Sequence, residues 1–163
     1  MRILKIFIFI IIIAAIAIPA QAFTFNSLSA EVSENGDTLV VFDYTMTFWE
    51  YFGYYTKIAD PSDEIRKELD KRSSQPVDIL GVSDKSASFL IYGFTDVKDN
   101  KDSKTYTVPP VEFSRAEEVL KDHWVSKITT FDLSPATTKI VFPDGYTKEY
   151  YNQADIPATV HTI

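Results

Sequence analysis

The longest alternation of apolar and polar positions in this chain runs from Thr38 to Tyr55. Successive side chains of an extended strand point to opposite faces, and aromatic and β-branched residues suit a half-buried pleated surface. One face of such a strand would carry Val40, Phe42, Tyr44, Met46 and Phe48. The pattern therefore predicts the central strand of a sheet over residues 38–55.

Turn-forming residues separate further stretches with strand character. Asn35-Gly36 directly follows a strand predicted over 23–34, and both residues tolerate the positive φ of a tight hairpin turn. The sequence thus predicts that this strand pairs antiparallel with the central strand. Other strands are predicted over 77–82, 87–95, 105–108, 138–142 and 146–151, the last two joined by Pro143-Asp144-Gly145.

Two segments lack strand character in the sequence. Residues 96–104 are charged and polar, which predicts a loop, and the residues from Asn152 onward show little pattern. Calcium coordination by the first segment is not expected, because Lys98, Lys101 and Lys104 interleave with its carboxylates and repel a cation.

Two helices are predicted between the strands. Asp60-Pro61 suits a helix start, and the helix over 60–72 has a thin apolar stripe. A second helix begins at Ser114, which forms a capping box with Glu117, and its apolar stripe continues to Ile128.

These elements predict an α+β fold. A mainly antiparallel sheet of about seven strands is built from hairpins, and the second of two helices packs on one face of the sheet. No β-α-β alternation appears, which argues against a parallel doubly wound sheet. The length of residues 23–163 suits a single domain.

The first 22 residues have the features of a signal peptide. Arg2 and Lys5 precede an uninterrupted apolar stretch from Ile6 to Ile18, and Ala20-Gln21-Ala22 matches the small-x-small cleavage pattern. The apolar stretch is shorter than the roughly 20 residues of a spanning helix. We expect cleavage after Ala22, with a retained N-terminal anchor as the alternative, and no membrane span after cleavage.

The amino-acid composition limits the cellular locations and the classes of partner that are expected for this chain. The net charge of −7 argues against nucleic acid as a partner. The absence of cysteine excludes disulfides, thiolate catalysis and cysteine–metal sites. An exported chain without cysteine leans toward the periplasm or cell surface of a prokaryotic envelope.

The sequence shows no catalytic or metal-binding motif. Its two histidines are His123, expected on the surface of the second helix, and His161, expected to fray with the chain end. No cofactor or metal is therefore expected, and the chain is not expected to be an enzyme. A carboxylate pair remains the one catalytic alternative, because separation in sequence does not report distance in space.

The candidate binding residues are aromatic. Six aromatic residues fall within 48–55, and strand alternation places Trp49, Tyr51 and Tyr55 together on the face opposite the core. Exposed aromatic patches are typical of contact surfaces. The alternative is that the 60–72 helix covers this face. Tyrosines at 146, 150 and 151 would extend the patch or belong to a second half-buried strand.

The sequence thus predicts an exported, non-catalytic domain that acts by contact with a protein partner, a second copy of itself or a glycan. One alternative is an envelope hydrolase with a carboxylate pair. The other is a structural component of the cell surface.

Overall fold

The computed structural model describes residues 24–45, 75–83, 85–115, 118 and 132–163. Strands dominate these ranges. They are β1 (Thr24–Val32), β2 (Thr38–Thr45), β3 (Val77–Val82), β4 (Ser86–Ile91), β5 (Asp96–Asn100), β6 (Ser103–Val108), β7 (Val111–Glu112), β8 (Thr137–Val141), β9 (Thr147–Tyr151), β10 (Asp155–Ile156) and β11 (Thr159–Thr162).

Six strands form the larger sheet, in the order β3-β4-β2-β1-β8-β9. Hairpins join β1 to β2, β3 to β4 and β8 to β9, and each of these pairs is antiparallel. The pairing of β1 with β8 is parallel, with Leu28 opposite Thr138 and Ala30 opposite Ile140. A tight hairpin cannot join parallel neighbours, and strands β2 to β7 lie between β1 and β8 in the chain.

The remaining strands form a second, kinked layer. β6 pairs with β5 on one side and with β11 on the other, while β7 pairs with β10. Pro109-Pro110 separates β6 from β7, and Pro157-Ala158 separates β10 from β11 at the matching position. Proline has no N–H to donate to a ladder, so the prolines interrupt both strands at the same place.

The core lies between the two layers. In β2 the side chains of Val40, Phe42 and Tyr44 are buried and alternate with more exposed neighbours, which confirms the predicted inward face over the described part of this strand. The Phe25 ring stacks on Phe42 at 5.6 Å and meets Phe113 edge-on at 5.4 Å. Offset and edge-to-face rings are the favoured arrangements for aromatic pairs.

The β1–β2 hairpin lies where Asn35-Gly36 predicts it, but its turn is one residue longer. Ser33 and Asp37 close the loop, since the Ser33 N–H donates to the Asp37 carbonyl at 2.8 Å and the Gly36 N–H donates to the Ser33 carbonyl at 3.0 Å. Gly36 has a φ of +89°, whereas Asn35 has no positive φ. This is the three-residue hairpin loop in which a single left-handed residue follows a type I turn.

The β8–β9 hairpin has the same turn. The Phe142 N–H donates to the Tyr146 carbonyl at 2.8 Å, and the Gly145 N–H donates to the Phe142 carbonyl at 2.9 Å. Gly145 has a φ of +85°, as its place in the predicted turn requires.

The mainly antiparallel β character is confirmed, whereas the two helices are not. The 60–72 helix lies outside the described residues, and so does most of the second one. Residues 113–115 and 118 are helical, but Ser114 is not the N-cap of a capping box: its hydroxyl donates to the Asp155 carboxylate at 2.7 Å, and its N–H lies 3.2 Å from the same group. Asp155 of β10 thus supplies the cap from a distant part of the chain.

The predicted strand number was too low, and two of the assignments were wrong. Residues 96–104 are not a loop but the β5–β6 hairpin, in which Lys101 and Asp102 alone form the turn. The chain after Asn152 is not patternless in structure, because it contributes β10 and β11. In the part of the chain that the structure describes, no helix has both the length and the apolar character needed to cross a membrane. The predicted signal peptide, 1–22, lies outside these ranges.

Candidate functional site

The predicted binding residues Trp49, Tyr51 and Tyr55 lie outside the described residues, so their role stays a prediction. The proposed extension of that patch is described. Tyr146 and Tyr151 are 46% and 59% exposed, whereas the Tyr150 side chain is half-buried and its hydroxyl lies 2.8 Å from Thr159 Oγ1. Two of these three tyrosines therefore present aromatic surface to solvent.

An open groove lies at one end of the molecule, where three hairpin turns meet the last residue. Its volume is about 410 Å³, within the range of roughly 300–1,000 Å³ typical of small-ligand sites. Glu34 comes from the β1–β2 turn, and Pro143 and Asp144 come from the β8–β9 turn. The β5–β6 hairpin and Ile163 complete the lining of the groove. Ile163 is held by two backbone hydrogen bonds of 2.9 Å to Lys104.

The groove has a polar lining that carries both signs of charge. Its carboxylates belong to Glu34, Asp99 and Asp144, and its ammonium groups belong to Lys101 and Lys104. Lys104 Nζ and Asp99 Oδ2 are 3.9 Å apart on exposed side chains, an arrangement that contributes little to stability. These groups therefore remain available to a ligand.

A histidine and a carboxylate meet beside the groove. His161 Nε2 of β11 lies 2.8 Å from Asp144 Oδ2 in the β8–β9 turn. The second carboxylate oxygen, Asp144 Oδ1, accepts the Tyr146 N–H at 3.0 Å, so the carboxylate is fixed at both oxygens. The hydrogen bond from His161, followed by that from the Tyr146 N–H, lowers the pKa of Asp144 below its ordinary value. Asp144 is accordingly an ionised acceptor at neutral pH.

The same histidine belongs to an aromatic column. Its ring stacks on the Tyr146 ring at 4.2 Å with an interplanar angle of 10°, and it lies 4.9 Å from the Phe142 ring. Phe142 in turn meets the buried Tyr106 ring at 6.5 Å. The column therefore runs from the core to the exposed ring of Tyr146.

Sequence reasoning missed His161, which was expected to fray. The residue lies instead in β11, opposite Tyr106 of β6, and the ladder holds it in place. The only sequence signal was the short run Thr159-Val160-His161-Thr162, which has strand propensity but no clear apolar alternation. His123, which the sequence predicts to be a surface residue, lies outside the described residues.

Within the described ranges, no group of three or more histidine, aspartate or glutamate side chains is placed to hold a metal ion. Comparisons of the chain with protein-family models, with curated proteins and with solved structures found no match.

Proposed function

We propose that this chain is an exported, non-catalytic domain of the cell envelope or extracellular space that acts by contact. The observation that supports a contact role is the exposed apolar surface on and beside two edge strands. Tyr151 lies in β9 and Tyr146 directly precedes it. Val160 lies in β11 and Ile163 directly follows it, and these two side chains are 60% and 45% exposed. Exposed aromatic and aliphatic side chains at sheet edges offer apolar surface for contact with a partner.

The two edge strands lie side by side. The Tyr150 hydroxyl of β9 contacts Thr159 Oγ1 of β11, and His161 of β11 stacks on Tyr146 at the start of β9. In the described sheets β9 and β11 are both end strands, so one border of the molecule joins the edges of its two layers. A partner at this border would meet aromatic rings and the backbone groups of an edge strand, a common mode of recognition.

Export is supported by the N-terminal sequence alone. The basic residues, the apolar stretch and the Ala20-Gln21-Ala22 site together favour removal of 1–22. Mass measurement of the protein recovered from the envelope and medium tests this: a chain beginning at Phe23 is expected, and a chain retaining Met1 would favour the anchored alternative.

Size-exclusion chromatography of envelope extracts tests the contact role. We expect the wild-type protein in a complex and Tyr151→Ala at the monomer position, because the substitution removes surface contact without opening the core. Glu31→Ala, which alters an exposed polar residue on the outer face of β1, serves as the control. Elution of wild type and Tyr151→Ala at the same monomer volume would overturn the proposal.

The hydrolase alternative has one observation in its favour, because the groove brings Glu34, Asp99 and Asp144 together. A glycosidase needs one carboxyl group whose pKa is raised so that it donates a proton. Asp144 is perturbed in the opposite direction, since His161 and the Tyr146 N–H stabilise its ionised form. Asp144 would therefore suit only the ionised member of a carboxylate pair, and the hydrolase remains the second candidate function.

A further inference from the structure

Tyr146 has the environment of a stacking platform. His161 covers one face of the phenol ring at 4.2 Å, yet 46% of the side chain remains exposed, so the ring keeps accessible surface. The histidine is itself fixed by Asp144 and by the β11–β6 ladder. A ring supported from behind in this way loses little conformational entropy when a ligand packs against it.

Hydrogen-bonding groups of both kinds adjoin this platform. Asp144, two residues before Tyr146, lines the groove as a fixed carboxylate acceptor. Across the groove, Asn100, Ser103 and the Lys101 and Lys104 ammonium groups supply donors, and the amide and hydroxyl also accept. Three carboxylates and two ammonium groups leave no strong preference for a charged ligand.

A pyranose ring is the ligand chemistry that uses both features. In a gluco-configured sugar the substituents are equatorial, so the ring has a flat face of C–H groups and a rim of hydroxyls. The C–H face packs on an aromatic ring, and each hydroxyl both donates and accepts hydrogen bonds. We propose that the groove and Tyr146 bind a neutral, gluco-configured glycan. This inference rests on the proposed contact function and names its ligand class.

Other ligand classes fit the same groups less well. A polyanion would meet the carboxylates of Glu34, Asp99 and Asp144, and an apolar peptide would leave the groove's charged groups desolvated without partners. A neutral polyhydroxyl ligand satisfies both signs of charge without displacing the His161–Asp144 pair.

Nuclear magnetic resonance titration of the processed, full-length exported protein tests the proposal. The ligands are cellotetraose, maltotetraose and tetra-N-acetylchitotetraose, each added to about 10 mM because single-site glycan binding at an open groove is expected near the millimolar range. At least one should shift the backbone amides of residues 99–104 and 143–146 together.

Variants at the tyrosine separate ring stacking from a general effect of mutation. Tyr146→Ala should weaken binding about tenfold, the loss expected when an aromatic contact is removed. Tyr146→Phe keeps the ring and should keep the affinity. Tyr92→Ala is the matched control, because Tyr92 is also an exposed tyrosine but follows β4, near the opposite edge of the larger sheet from β9. If Tyr146→Ala fails to fold, the amide shifts of the wild type and the affinity of Tyr146→Phe test the glycan proposal instead.

Three outcomes would overturn the glycan assignment: no shifts at these amides with any of the three sugars, equal affinity of Tyr146→Ala and wild type, or equal shifts with acetyl-tetraalanine amide, which would indicate a peptide site. The contact function is judged separately by the elution of Tyr151→Ala. A failed titration beside a Tyr151-dependent complex would reject the glycan and leave the contact role standing.

Discussion

Thr38 Oγ1 and Thr95 Oγ1 lie 2.9 Å apart inside the core, although 57 positions separate the two residues in the chain. Both side chains are buried, with 0% and 3% exposure. The neighbouring Thr95 N–H donates to the Gly36 carbonyl at 2.9 Å. This pair ties the start of β2 to the turn before β5, and thereby joins the larger sheet to the second layer.

Removing one hydroxyl of this pair should destabilise the fold. Thr38→Val leaves the Thr95 hydroxyl buried without its partner, and such a loss costs about 1–3 kcal/mol in the free energy of unfolding. Urea denaturation measures the change. The double variant Thr38→Val/Thr95→Val should cost less than the sum of the two single variants, because no polar group is then left unpaired. Strict additivity would contradict the pairing.

The two hairpin glycines offer a matched pair of substitutions. Gly36 and Gly145 have nearly the same φ, but a Cβ on Gly36 would lie 2.4 Å from the Thr95 carbonyl oxygen, whereas Gly145 has open space. Gly145→Ala should cost about 1–3 kcal/mol from backbone strain alone. Gly36→Ala adds the collision and should cost more than about 4 kcal/mol or prevent folding. Equal losses would contradict the close approach of the β1–β2 turn to Thr95.

The His161–Asp144 pair predicts a pH dependence of stability. Because the pKa of Asp144 is lowered in the folded state, its contribution is fully present above the ordinary value of 3.8 and disappears as the pH falls through the lower folded pKa. The difference in unfolding free energy between wild type and Asp144→Asn should therefore shrink below about pH 4. Urea denaturation from pH 6 to pH 2 measures it, with Asp102→Asn of the β5–β6 turn as the control. A pH-independent difference for Asp144→Asn would refute the assignment.

Trp49→Ala tests the predicted aromatic face. If Trp49, Tyr51 and Tyr55 form a contact surface, the substitution changes the unfolding free energy by no more than about 0.5 kcal/mol, as surface substitutions usually do. A loss of roughly 3–5 kcal/mol would instead place Trp49 in the core. Light scattering over a concentration series, beside urea denaturation, shows whether the wild type self-associates and the variant does not.

Strong local patterns were enough to predict part of the fold. The inward alternation of Val40, Phe42 and Tyr44 and the turn at Gly36 identify the β1–β2 hairpin, because burial and backbone conformation are local constraints there. Strands with weak local patterns were not predicted from the sequence. β5 has a single apolar residue, Val97, which packs against the core, and its other residues are polar or charged. It therefore shows no apolar alternation in the sequence, and its strand conformation comes from pairing with β6.

The site depended even more on long-range contacts. His161 and Asp144 meet because β11 pairs with β6 while the β8–β9 turn folds over from the larger sheet. Asp144 lies in a turn that the sequence predicts, but no local pattern at either residue indicates that the two side chains meet. The parallel pairing of β1 with β8 could not be predicted from the sequence either, since no hairpin connects these strands.

Site-specific photo-crosslinking in the producing cells tests the contact role most directly. A photoreactive phenylalanine derivative replaces Tyr151 at the exposed border of β9, or Glu31 on the outer face of β1 as the control. A contact domain predicts a discrete adduct, larger than the 18.5 kDa chain, at position 151 and none at position 31. The same adducts at both positions, or no adduct at position 151, would contradict a contact function at this surface.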